Sequence, residues 1–287
     1  MKKIIVIILL SFTSIFADEE VNLDSLYKEG IEIYRNAKAS WLGNELLIKL
    51  LKQAGTEESL GGYFAYPEND GNHFIFYSKD AKVIAEAYFD STFKTPQTSV
   101  KFIIRDFNDI ETKYYKIKTA TKKYQTQDSS IRYYENTGMN EIPIIFEGKM
   151  KCYILTAPNY LGQVIYGNDY CLDMDENYKI TKVTDYHKTI IPVPYAKDTL
   201  FTQSYHTHTD EIGYLPTPTD IATTLLYGDL AGWTQHFIQS SKLSTRIDIK
   251  SKKVQIGRVT TPPVNTDQQT YEAKDIKQVN KDKEKKK

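Results

Sequence analysis

Residues 200–227 read LFTQSYHTHTDEIGYLPTPTDIATTLLY. Leu200 to His208 has the pattern of a strand with unequal faces. Phe201 and Tyr205 fall on one side, and Thr202, Ser204, His206 and His208 on the other, because side chains at i and i+2 share a face. Both imidazoles therefore look into one space. Thr217-Pro218-Thr219-Asp220 then signals a helix start: Thr217 as N-cap, Pro218 at the first helical position and an acid three residues after the cap. Thr219 to Tyr227 continues as a short helix with Ile221, Ala222, Leu225 and Leu226 as its apolar stripe, closed by Gly228. His206, His208 and Asp220 suffice to hold a zinc ion and leave a fourth position for water. Downstream, His236 to Ile238 and Thr245 to Ile249 read as a closing pair of strands.

Upstream the texture is different. Asn22 to Gly55 predicts two helices: Leu26, Gly30, Ile33, Ala37 and Trp41 form one stripe, Gly43-Asn44 interrupts it, and Leu46, Leu47, Leu50, Leu51 and Ala54 form the next. Residues 61–78, GGYFAYPENDGNHFIFYS, predict a hairpin turning at Pro67 to Gly71. Lys82 to Phe89 and Val100 to Ile104 are further strands, and Asp109 to Thr121 a helix. Ile142 to Phe146, Lys151 to Thr156, Gln163 to Tyr166, Tyr170 to Met174 and Ile180 to Tyr186 read as strands of a meander. The expectation is an α+β fold: an N-terminal helical pair, a large mostly antiparallel sheet, and a strand–loop–helix–strand unit near the C-terminus, all in one domain over residues 18–260.

The ends carry other signals. Lys2 and Lys3 precede a short apolar run from Ile4 to Phe16, and Ala17 stands before Asp18-Glu19-Glu20. This is the pattern of a secretory signal over residues 1–17, too short for a membrane span. It predicts an exported protein, periplasmic or extracellular, with no membrane span after cleavage. Residues 261–287 predict a disordered Lys-rich tail. The whole chain has 37 basic and 37 acidic residues. Without Lys2, Lys3 and the +4 of the last fourteen residues, the remainder is acidic at −6, which argues against nucleic acid as a partner. Cys152 and Cys171 are the only cysteines. In an exported protein they either bridge neighbouring strands or stay as two buried thiols.

The His-x-His, the interval of eight residues and the Thr-x-x-Asp at a helix start resemble the JAMM (MPN-type) metallopeptidase family over about residues 200–249. The resemblance implies zinc held by His206, His208 and Asp220, a metal-bound water as nucleophile, and Thr217 at the family's Ser position beside the tetrahedral intermediate. An upstream Glu would act as general base. Glu141, opening Glu141-Ile-Pro-Ile-Ile-Phe-Glu147-Gly148, is the favoured candidate and Glu58 the other. Three departures stand out: Thr209 replaces the family's Pro, Thr217 replaces its Ser, and the interval is one residue longer.

Plainer readings exist for each group. The capping box alone accounts for Thr217 and Asp220. His236 is either an outer group behind the site or packed against Trp233, Asp210 and Glu211 are solvated loop charges or substitutes for Asp220, and His73 and His187 carry no role. No HExxH, phosphate loop or GxSxG motif is present. The sequence thus predicts an exported zinc-dependent hydrolase cleaving an amide or isopeptide bond in a peptide or envelope polymer. The alternative is a non-enzymatic envelope binding protein or an inactive relative.

Overall fold

The computed structural model describes residues 23–54, 60–94, 100–128, 130–196 and 202–259. The signal-like segment 1–17, the basic stretch 261–287 and Glu58 lie outside these residues. The fold is α+β and mainly antiparallel.

One helix, α1 (Leu23–Ala54), stands where a helical pair was expected. The reason is tertiary. A Cβ on Gly43 would sit 2.4 Å from the Phe74 ring, and one on Gly30 would sit 2.8 Å from Ile221. Both glycines let a partner approach the helix axis. Neither breaks it, although a mid-helix Gly costs about 0.5–1 kcal/mol relative to Ala.

Four strands follow as an antiparallel meander: β1 (Leu60–Glu68), β2 (Gly71–Ser78), β3 (Val83–Phe89) and β4 (Lys101–Arg105). The first hairpin closes at Glu68↔Gly71, as the turn residues required. Next comes α2 (Asp109–Gln127), whose Asn108 and Glu111 form a reciprocal capping box. A second sheet has the order β5-β6-β8-β9, from β5 (Thr137–Phe146), β6 (Lys149–Pro158), β8 (Tyr170–Met174) and β9 (Ile180–Asp185). β7 (Gln163–Gly167) leaves this meander and pairs with β10 (Ile190–Pro194). Pro192 and Pro194 disguised β10 in the sequence; proline is accepted where a strand has no neighbour on one side.

Alternation across the second sheet separates two cores. Ile142, Ile144, Tyr153 and Cys171 face α1, while Cys152, Ile154, Tyr170 and Leu172 face Ile117 of α2. Cys152 pairs across the ladder with Leu172, and Cys171 with Tyr153. The two thiols therefore point to opposite faces and both are free. No disulfide can join them.

The C-terminal unit is β11 (Gln203–Thr207), α3 (Pro218–Tyr227), β12 (Gln235–Gln239), β13 (Leu243–Asp248) and β14 (Lys253–Arg258). β11 and β12 run parallel, with α3 as the crossover; the other pairings are antiparallel. Ile221, Ala222 and Leu225 of α3 pack between Ile33 and Ala37 of α1 on one side and Ile238 and Ile247 on the other. This packing fixes the start of α3 beside the end of β11.

Candidate metal centre

β11 buries the face that carries its histidines. Ser204 and His206 are 7% and 3% exposed, whereas Tyr205 is 55% exposed. His208 lies one residue beyond the strand, but its N–H donates to the Gln239 carbonyl at 2.8 Å and continues the ladder. Thr217 caps α3 and Asp220 occupies the third helical position. A fourth group arrives from the β9–β10 connection: His187, whose carbonyl accepts from the Asn168 N–H at 2.9 Å. His187, His206, His208 and Asp220 are all buried and lie close enough together to hold one metal ion.

The geometry is specific. Nε2 of His208 lies 3.1 Å from Nε2 of His187 and 3.2 Å from Nε2 of His206. Asp220 Oδ1 is 3.3 Å from His206 Nε2 and 3.6 Å from His187 Nε2, and its Oδ2 is 3.2 Å from His208 Nε2. Ligand atoms on a tetrahedron around zinc at ~2.0–2.1 Å stand about 3.3–3.4 Å apart.

Every imidazole is anchored from behind through Nδ1. His187 Nδ1 lies 2.8 Å from Asp169 Oδ1, and Thr219 Oγ1 donates to Asp169 Oδ2. His206 Nδ1 is 2.8 Å from His236 Nε2, and His236 Nδ1 is 2.7 Å from Ser204 Oγ. His208 Nδ1 meets the Leu215 carbonyl at 3.1 Å. Carboxylate and carbonyl acceptors require the proton on Nδ1 of His187 and His208. Two Nε2 lone pairs then point inward, and that of His206 joins them when its Nδ1–H donates to His236 Nε2, an arrangement typical of metal-bound histidine. Asp220 Oδ1 is buried with no hydrogen-bond partner among the described residues. Acceptors facing one another without a donor require a cation or a captured proton.

Without a metal, the electrostatics fit the captured proton. Burial holds the His206 imidazole below its usual value, and burial with the neighbouring His206 holds His236 well below. Burial opposes charge on His187 too, but Asp169 and then Asp220 outweigh it and push it up to about 9. For Asp220, burial is outweighed by His187, His208 and His206, so the carboxyl stays well below the usual range. Tyr166 of β7 closes one side, with its ring 4.6 Å from both His206 and His236.

Of the residues singled out in the sequence, the structure gathers His206, His208, Asp220 and Thr217. Asp220 is both cap and candidate ligand: Oδ2, which also faces His208, accepts from the Thr217 N–H at 2.7 Å and from its hydroxyl at 2.8 Å, and Oδ1 is left for His206 and His187. Asp210 instead bonds Ser241, and Glu211 bonds Lys188 at the surface. His236 is at once the group behind His206 and a stacking partner of Trp233.

Glu141 is placed elsewhere. Its neighbour Ile142 faces α1 and α3, so Glu141 itself faces α2, where it pairs with Lys118 at 3.2 Å. His187 was missed. It lies nineteen residues upstream of His206, and its only local signal is a histidine just past a strand. Compared with protein-family models, characterised proteins and solved structures, the chain matches none, so the chemistry of the site rests on its own residues.

Proposed function

We propose that this is an exported zinc-binding protein whose zinc would be held by four side chains, His187, His206, His208 and Asp220. The observation that carries this reading is His187. It stands where the family resemblance expects water, and Asp169 and Thr219 hold it there. Three imidazole nitrogens and one carboxylate oxygen suit zinc, and four protein ligands make a closed site. Asp220 and Asp169 together balance the charge of one divalent ion. Side-chain exposures of 1% or less leave substrate no approach to the four groups as they stand. When bound, the ion supplies a cross-link between the β9–β10 connection, β11 and α3, and hence folding energy.

A second reading, a zinc-dependent amide or isopeptide hydrolase, is favoured by one observation: His206, His208 and Asp220, the three ligands that the JAMM resemblance implies, converge, although the Thr217 hydroxyl is taken up by Asp220 and Thr219. It requires His187 to withdraw and a general base to enter, and Glu141 lies on another face. Zinc titration of the metal-free chain and of its His187→Ala variant separates the two. Four-ligand holding predicts about one zinc per chain and a loss of at least about tenfold in affinity in the variant, by analogy with the 10–100-fold effects of outer partners. Unchanged affinity in the variant returns the site to the three-ligand hydrolase reading.

A further inference from the structure

A second site lies at the other end of α3. There α1, α2, β1, β5 and the β6–β7 connection enclose a cleft of about 380 Å³, within the usual size range for small-ligand sites. Trp41, Tyr63 and Tyr160 wall it, and Asn140 and Asn159 offer amides to it. Tyr160 and Leu161 at its rim are 54% and 67% exposed. Clustered exposed apolar side chains mark binding surfaces more often than scattered ones do.

Among the described residues, its charged groups are a single pair. Lys118 is 5% exposed; its Nζ lies 3.2 Å from Glu141 Oε2, donates to the Glu141 carbonyl at 3.3 Å and sits 5.0 Å above the Tyr63 ring. A buried ion pair is poorly explained by stability alone, because desolvation offsets its attraction. Here it supplies a donor and an acceptor with no net charge.

We propose that this cleft binds a neutral oligosaccharide. The exposed Tyr160 ring matches the apolar C–H face of a pyranose, while Tyr63 and Trp41, whose rings carry Lys118 and Lys38, shape the walls; amides and the Lys118–Glu141 pair match hydroxyls, and the balanced charge selects against strongly ionic ligands. An extended peptide fits less well. One common mode of peptide docking adds a strand to a free sheet edge, and the edge of β5 here is occupied. The Glu141 carbonyl accepts from Lys118, the Pro143 carbonyl accepts from Asn36 at 3.2 Å, and Pro143 has no N–H. The cleft shares no residue with the metal cluster, so it stands whether or not zinc binds.

The test is calorimetric titration of the full chain with triacetylchitotriose, maltotriose and N-acetyl-trialanine amide. The same titrations follow on Tyr160→Ala and Asn159→Ala, whose exposed positions spare the fold. The result expected is saturable binding of at least one trisaccharide, weakened about tenfold or more, equivalent to ~1.4 kcal/mol, in Tyr160→Ala. Melting temperature and zinc content should be unchanged. Absence of saturation by either sugar at millimolar concentration overturns the proposal. So does binding that both variants leave unaltered, or saturation by the tripeptide alone, which assigns the cleft to peptide.

Discussion

At the scale of single residues, the site is set by what stands behind each ligand. Asp169 touches no other ligand than His187, yet it fixes which nitrogen that imidazole offers. Asp169→Asn keeps the shape and removes the charge. It should weaken zinc binding roughly 10–100-fold, measured by competition with a chromophoric chelator. Outside the metal cluster, Glu32 has a buried Oε1 with no hydrogen-bond partner among the described residues. Burial first, opposed by Arg35 and assisted by Glu29, raises its carboxyl from 4.5 to about 7. A raised acid pKa means the folded state binds the proton more tightly. The stability it contributes is full below about pH 4.5 and is lost as pH rises through about 7. Glu32→Gln should therefore gain on the native chain between pH 5 and 8, by at most about 3 kcal/mol, read from urea denaturation at the two pH values.

His206, His208 and Asp220 were legible because their relations are local: i to i+2 on a strand, and a helix start that follows. His187 was not, because a ligand delivered by a separate strand connection leaves no spacing to read. The same divide runs through Glu141. Its strand was legible, but the face it presents depends on which core claims Ile142, and that is decided by α1 and α3.

At the scale of elements, α1 shows how tertiary contact overrides a local signal. Gly43 looks like a break and acts as a notch for Phe74. Gly43→Ala raises helix propensity but drives a methyl into that ring. It should destabilise by about 1–3 kcal/mol, whereas Gly257→Ala in β14, with open space around it, should be nearly neutral. Chemical denaturation of both variants checks the contrast. The cysteine question likewise turned on register. Cys152 and Cys171 sit on adjacent strands but alternate to opposite faces. Burial pushes both thiols up to about 12. Thiol titration should find two reactive groups per chain after unfolding without reductant, and next to none before.

At the scale of the whole molecule, the metal cluster joins parts that the chain supplies far apart. β9 and β10 belong to different sheets, and their connection meets β11 and α3 at these four side chains and the hydrogen bonds around them. Mostly antiparallel architecture with a strand–loop–helix–strand unit near the C-terminus was readable from alternation and the helix stripe; the parallel pairing of β11 with β12 was not. Nor was the fold's division among four sheets in the described residues, since β7 and β10 find each other across the chain. The central claim is that the site is closed by His187, and X-ray absorption of the zinc-loaded chain tests it most directly. The account predicts four nitrogen or oxygen ligands at ~2.0–2.1 Å, with multiple scattering from three imidazoles. Two imidazoles and a solvent oxygen would contradict it and make the centre an open, hydrolase-like site.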